Sequence, residues 1–252
     1  VFVSREEFDK MLKNGEIFKE IINIFTNPEN FNGAPYKIQY KLLKAKEIGI
    51  PQARERVIIV GSLFDFDLDK ALLKAKNEIL KNNNTFFDSV SVWDAISDLP
   101  EPTESGIISN LESKTQYQKS LSNNGNTYNH TPHHHTQKAI ERMSRIKIDE
   151  NYTSLNEDIK SIHSGSYGRL NPNGIAPTIT TRFDTPSGGK FIHPYQNRTI
   201  SPREAARLQS FPDSFEFVGN QSSICKQIGN AVPPKLAYYL AIMIREVLNE
   251  NK

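Results

Sequence analysis

An α/β fold interrupted by a smaller, loop-rich domain is what the sequence predicts, and three observations carry that prediction. Apolar residues alternate with polar ones at Tyr36, Ile38, Tyr40 and Leu42, and an all-apolar run follows from Val57 to Val60. Both are strand patterns, the first buried on one face and the second on both. The chain ends in an amphipathic helix, "PPKLAYYLAIMIREVL", with Leu236, Leu240, Met243 and Val247 as its stripe and proline at its start. Between these regular ends, from His163 to Pro194, Gly and Pro crowd the sequence. Regular ends around an irregular middle suggest an insertion, with boundaries near residues 89 and 197. A length of 252 residues allows one large domain or two modest ones.

The elements follow in order. "EIFKEIINIF" places Ile17, Phe18, Ile21, Ile22 and Phe25 on one helical face, and "NPENFNGAP" breaks it. The two strands come next, close enough in sequence to pair antiparallel. A helix is predicted over "DLDKALLKAKNEIL", residues 67–80, and a short one in "SVWDAISDLPEP", stopped by its prolines. From Thr103 to Tyr128 the chain is polar and weakly patterned, which predicts a mobile loop. "HTPHHHTQKAIERMSRI" starts like a helix, with Thr131 as N-cap and Pro132 in its first turn. "APTITTRF" is a β-rich island in the irregular region, and no internal repeat is visible.

Composition excludes several classes. Charged residues make up 24% and hydrophobic ones 37%, as in a soluble globular protein. No apolar run approaches the roughly twenty residues that span a bilayer. "VFVSREEFDK" lacks the basic start and apolar middle of a signal peptide, and one cysteine excludes a disulfide framework. These features predict a cytoplasmic protein with no membrane partner. The net charge of +2 is small, but its distribution is uneven. Residues 37–56 hold six Lys or Arg against two Glu, and residues 164–198 hold four against one Asp. Two basic segments in a near-neutral chain fit a polyanionic partner as well as they fit solvated faces.

Three stretches narrow the choice: "PQARERVIIVGS" from Pro51, "RTISPREAARLQSFPDSF" from Arg198, and "KQIGNAVPPKLA" from Lys226. In this order, with a variable stretch between the first two, they resemble motifs eight, nine and ten of the cytosine-5 DNA methyltransferases. "SVWDAISDLP" is similar to the stretch leading into that family's target-recognition region. The resemblance implies a partial Rossmann-like, S-adenosylmethionine-dependent methyltransferase domain, represented by its last strands and C-terminal helix. Residues 1–88 and 198–252 would belong to that catalytic domain, and residues 89–197 to an inserted target-recognition domain. The implied partner is double-stranded DNA and the implied cofactor S-adenosylmethionine. A restriction-modification system is the implied setting.

The family's chemistry explains the residue types. A cytosine is flipped from the duplex because its ring carbon cannot be reached inside the stack. A thiolate adds to the ring, and fixed donors stabilise the charge that builds on it. A guanidinium stays protonated and offers a fixed fork of donors, so the resemblance puts Arg56 on the flipped cytosine's oxygen. Arg54 would support the catalytic loop or a phosphate, and Gln52 would orient that shell. At motif ten, Gly229 would let backbone pass close to a ligand, and Asn230 and Ala231 would touch the cofactor. In motif nine, Arg203 and Arg207 would chiefly brace the recognition domain. Thr178-Ile179 matches the family's Thr-aliphatic pair at the end of that domain, where a hydroxyl can bond a phosphate. With Arg169, Arg182, Arg198 and Arg203, this pair completes the expected DNA contacts.

Four histidines in "HTPHHH" lack a carboxylate or cysteine at regular ligand spacing, so no metal is predicted. The family's Pro-Cys nucleophile, its Phe-x-Gly-x-Gly cofactor turn and its Glu-Asn-Val strand have no counterpart here. "PEN" at Pro28 lies in a turn-rich segment, and Cys225 follows Ile224 inside motif ten, where it is expected to pack. The chain therefore resembles the back half of such an enzyme, and a front-half polypeptide is expected as its partner. A non-catalytic DNA-recognition or regulatory subunit that keeps the fold for docking is the alternative reading.

Overall fold

The computed structural model describes residues 15–249 apart from 32, 34, 110, 123, 124, 158 and 160–163. The opening decapeptide and His163 lie outside the described residues. In chain order the main elements are α1 (Glu16–Thr26), β1 (Lys37–Lys44), β2 (Glu55–Ser62), α2 (Leu68–Asn82) and α3 (Val92–Ile96). They continue with α4 (Gln116–Leu121), α5 (Gln137–Arg145), α6 (Pro202–Leu208), α7 (Gln221–Asn230) and α8 (Pro234–Asn249). The described residues form two compact units, one of 15–43, 56–78 and 239–249, the other of 44–55 and 79–238.

In the first unit β1 and β2 pair as a two-stranded sheet. The connection between them closes where the Ala45 N–H donates to the Arg54 carbonyl at 2.8 Å, the closure of an antiparallel pair. α1 packs through aromatic edges: Phe18 meets Tyr40 with ring centroids 4.7 Å apart, and Phe25 meets Tyr36 at 6.0 Å. Gln39 caps the start of α2, its Oε1 accepting from the Leu68 N–H at 2.9 Å. α8 lies on α2, where the Tyr239 hydroxyl donates to the Leu72 carbonyl at 3.0 Å. β2 differs from expectation. Its apolar run predicts a strand buried on both faces, yet Val57 is 51% exposed and Ile59 36%. A strand is covered on both faces only where the sheet is layered on both sides, and β2 has one neighbouring strand among the described residues.

The second unit is built on two apolar cores. The larger holds Val92, Ile96, Tyr117, Leu121, Ile179, Phe183, Leu208 and Ile228 among others, and the smaller holds Met143, Ile146, Leu155, Tyr167 and Ile192. α3 starts at a capping box in which the Ser91 hydroxyl accepts from the Asp94 N–H and the Asp94 carboxylate accepts from the Ser91 N–H. Residues 103–128, expected as a mobile loop, contain α4 instead. Thr115 and Gln118 form a second capping box, and Tyr117 and Leu121 are buried. Ile108 also pairs with Thr127 in an antiparallel bridge. The helix after the histidines starts at Gln137 with Thr136 as its cap, not at Thr131. His130, His133 and His135 are engaged elsewhere, with Ser201, Gln221 and Thr199, which holds 130–135 out of the helix. Residues 89 and 197 both lie within the second unit, in which α3 packs on α6 and α6 on α7.

Candidate functional site

Three separated stretches meet at Gln52, whose side chain is wholly buried. Its Oε1 accepts from the Ile179 N–H at 3.2 Å and its Nε2 donates to the Leu208 carbonyl at 3.2 Å. Backbone pairing reinforces the join, with Ala53 N–H to the Ala176 carbonyl at 2.8 Å and Ala176 N–H to the Pro51 carbonyl at 2.9 Å. The Thr178 hydroxyl donates to the Ala53 carbonyl at 3.1 Å. Gln209, one residue past α6, gives its side-chain amide to the Ile228 carbonyl near the end of α7. Pro51–Arg54, Thr178–Thr181, the end of α6 and the end of α7 therefore form one hydrogen-bonded junction. Gln52 is the side chain that bridges the Ile179 and Leu208 backbones in this junction.

α6 buries all seven of its residues, including three charged ones, so each charge needs a partner. Arg207 forks onto Asp213 at 2.8 and 2.7 Å and reaches Asp98 at 2.6 Å. Burial opposes its charge, but hydrogen bonds and charge from Asp213 and Asp98 outweigh it, and its pKa is raised. Glu204 is fully buried yet held well below the usual carboxylate range, because Arg198 and the nearby histidines outweigh the burial. Arg203 gives its donors to the carbonyls of Tyr128, Pro212 and Phe215, at 2.6, 3.1 and 2.6 Å.

These contacts correct part of the expected DNA surface. Arg203 is wholly buried, and Arg198 is spent on a bidentate pair with Glu204 at 2.8 and 2.7 Å. Arg169 uses all five donors inside the fold, on the carbonyls of Ile146, His193, Gln196 and Met143 and on Asn197 Oδ1. The Ile179 side chain is 1% exposed and packs in the larger core. Arg203, Arg169 and Ile179 are interior braces, because a guanidinium bound to carbonyls, or an aliphatic chain in a core, presents nothing to a phosphate; Arg198 is half-buried and held by the Glu204 carboxylate. Arg182 is the exception, its side chain 67% exposed and only 3.6 Å from Asp184.

Arg54 is buried at 7% exposure, whereas Arg56, on β2, is exposed. At motif ten, Asn230 and Val232 are exposed at the end of α7, and Ala231 is half-buried. Gly229 lies against the backbone of the Thr180–Thr181 peptide. A Cβ there would stand 2.5 Å from the Thr180 carbonyl carbon and 2.5 Å from the Thr181 nitrogen. The close approach it permits is to this chain's own backbone.

The profile of the C-5 cytosine-specific DNA methylases matches residues 10–246. The chain belongs to that family. The chain is 32% identical to the type II methyltransferase M.DdeI of Desulfomicrobium norvegicum, an alignment covering 91% of this chain and 58% of that protein. It is 31% identical to M.NgoFVII of Neisseria gonorrhoeae, covering 92% and 55%, and 31% identical to DNA (cytosine-5)-methyltransferase 3 of Arabidopsis thaliana, covering 85% and 18%. Among solved structures, a prophage-encoded DNA modification methyltransferase of E. coli superposes with a TM-score of 0.66 at 25% identity, covering 88% of this chain and 63% of that one. The chain thus spans little more than half the length of the two bacterial relatives M.DdeI and M.NgoFVII, and its fold is that of the α/β methyltransferases.

Cys225 and the histidines near α6 lie inside the second unit. Cys225 is 1% exposed, and burial pushes its thiol up to about 12, so it packs, as expected, instead of attacking. His130 binds Ser201 Oγ at 2.8 Å and the Pro100 carbonyl at 2.7 Å. Burial lowers the pKa of His130 and brings His133 and His193 down to about 4. No group of three or more His, Cys, Asp or Glu side chains among the described residues is arranged to hold a metal. Two features escaped the sequence reading. The S-x-x-E box at Ser201–Glu204 was legible as a helix start, and it ties the histidine cluster to α6. A cavity of about 420 Å³ lies beside Phe86, Tyr117, Tyr238 and Lys235, with no sequence signal to announce it. Lys235 donates there to the Gly49 carbonyl at 3.1 Å and the Phe86 carbonyl at 2.6 Å, and burial lowers its pKa to about 8.

Proposed function

We propose that this chain is the target-binding and cofactor-closing part of a DNA (cytosine-5-)-methyltransferase. The reaction is transfer of a methyl group from S-adenosylmethionine to carbon 5 of a cytosine flipped out of double-stranded DNA. The observation that carries this reading is the junction at Gln52, which locks the motif-eight mouth to the Thr178 segment and to the ends of α6 and α7. Such locking holds Pro51–Arg54 and the Thr178 segment in one fixed arrangement before a substrate arrives, and preorganised groups are what stabilise charge that develops later. A restriction-modification setting in the cytoplasm is supported by the type II relatives.

Each role follows from the chemistry of the side chain. Arg56, exposed on β2, holds the flipped cytosine's exocyclic oxygen with its guanidinium fork. Arg54, buried behind it in sequence, supports the catalytic loop. Thr178 and the exposed Arg182 contact the phosphate backbone; the Thr178 hydroxyl turns its proton from the Ala53 carbonyl to a phosphate oxygen when DNA arrives, while Arg182 supplies charge. The motif-ten turn would hold the cofactor, since Asn230 exposes an amide there and Val232 an aliphatic group. When bound, S-adenosylmethionine supplies the methyl group. Asn230 and Ala231 orient it, and Pro233 and Pro234 stiffen the turn that does so.

The nucleophilic thiol lies outside these 252 residues, since the only cysteine, Cys225, is buried with a raised pKa. A front-half polypeptide carrying it completes the enzyme. The test mixes the chain with such a front half and measures transfer of labelled methyl to duplex DNA. Activity is expected from the mixture and from neither part alone, and Arg56→Ala is expected to abolish it while the complex still assembles. Methylation by this chain alone would end the reading, and a silent Arg56→Ala would leave only a recognition subunit.

A further inference from the structure

We propose that Gly229 is a positioning residue for the segment Thr178–Arg182, and that through it occupancy of the Asn230–Val232 turn is felt at that segment. The inference rests on the proposed assignment of the turn to the cofactor and of the segment to DNA.

Gly229 lies in α7, in ordinary right-handed helical backbone, so no special dihedral requires glycine there. Glycine inside a helix costs about 1 kcal/mol relative to alanine. What the position gains is space. A Cβ would stand 2.5 Å from Thr180 C, 2.5 Å from Thr181 N and 2.6 Å from Thr180 O. All three are backbone atoms, which cannot swing aside as the tip of a flexible side chain can. The last turn of α7 therefore rests directly on the Thr180–Thr181 peptide.

Both partners in this contact are held from behind. On the helix side the Gln209 amide binds the Ile228 carbonyl, and the Ala231 N–H returns to the same oxygen at 3.3 Å. On the segment side Gln52 holds the Ile179 N–H, and Ala53 holds the Thr178 hydroxyl. The exposed Asn230 follows Gly229 immediately, and the exposed Val232 lies two residues further on. A ligand that stiffens this turn stiffens the helix end, and the helix end has no free space before it meets the target-facing peptide. Coupling of this kind needs no large movement, only a change in how freely the peptide fluctuates.

The experiment uses the chain assembled with its front half, duplex DNA carrying the target, and S-adenosylhomocysteine as the cofactor probe. Gly229→Ala is expected to weaken DNA binding by about tenfold or more, since overpacking against backbone displaces it, and to leave S-adenosylhomocysteine affinity within about twofold. Asn230→Ala is expected to do the reverse. Unchanged DNA affinity in Gly229→Ala, or an equal loss of both affinities, overturns the proposal. A second measurement needs no variant and decides the matter if Gly229→Ala fails to fold. In the wild-type assembly, S-adenosylhomocysteine is expected to slow amide hydrogen exchange in the peptide containing residues 178–182, and unaltered exchange there overturns the proposal. Wild-type methylation separates the two failures. An inactive wild-type assembly refutes the functional reading and this inference with it, whereas an active assembly with a silent Gly229→Ala refutes the inference alone.

Discussion

At the scale of single residues, the second unit is organised by arginines that never reach solvent. Arg207 has no exposed side-chain surface and faces two carboxylates, Asp98 and Asp213, that are equally buried. Removing the cation strands both charges in the core, and breaking a buried pair in this way costs roughly 3–5 kcal/mol. Arg207→Met is therefore expected to lower the urea midpoint of the second unit by a corresponding amount with its slope unchanged. A variant within 1 kcal/mol of wild type would mean that Asp98 and Asp213 have taken up protons or water instead. The same residues limit what sequence alone could reveal. The resemblance gives Arg203 both a bracing and a DNA-contacting role, and only the fold discloses that it meets three backbone carbonyls contributed from Tyr128, Pro212 and Phe215. A carbonyl carries no residue identity, so no sequence pattern marks it as a partner. Arg169 was misread for the same reason.

At the scale of elements, three helix starts carry a local signature, although the one before α4 lies in the stretch expected as a mobile loop. Ser91-x-x-Asp94, Thr115-x-x-Gln118 and Ser201-x-x-Glu204 are all reciprocal capping boxes, and each marks the observed first turn. Ser91→Ala removes one cap and is expected to cost about 1 kcal/mol. Ser201→Ala should cost more, because that hydroxyl also meets His130 Nδ1 at 2.8 Å and leaves a buried ring nitrogen without a partner. Comparing the two thermal midpoints checks the order; a larger loss for Ser91→Ala would contradict it. Where sequence reading failed, tertiary contacts had overridden local preference. Thr131-Pro132 is a sound helix start in isolation, yet the histidines beside it are bound to Ser201, Gln221 and Thr199 and pull the chain straight. β2 failed in the other direction. Its apolar run reads as interior, but burial depends on what is layered against a strand, and that lies outside the strand's own sequence.

At the scale of the whole molecule, the histidine cluster sets the response to acid. His133 and His193 are buried and titrate near 4 in the folded chain, against about 6.5 when unfolded. Between those values the unfolded chain binds protons that the folded chain refuses, so stability falls as pH drops from about 6.5 towards 4. His130 and His135 are shifted the same way by burial. Glu204 adds to the loss lower down, since its depressed carboxyl pKa contributes stability that disappears as pH falls below the ordinary carboxylate range. Denaturation midpoints measured from pH 8 to pH 4 should be flat above about 7 and decline steeply below 6. His193→Gln should flatten part of that decline, and an unchanged profile would remove His193 from the account.

The uncovered face of β2 bears on handling. Val57 to Val60 is a short, uncharged stretch of high β propensity, and Val57 and Ile59 stand in water. Such stretches seed intermolecular stacking unless charge interrupts them. Arg54, Glu55 and Arg56 sit immediately before this one and act as gatekeepers. Arg56→Ala should therefore raise light scattering of the isolated chain at high concentration, and a coexpressed front half that shields the strand should suppress it. The guanidinium assigned to the flipped base would then also keep the unassembled polypeptide dispersed until it is joined.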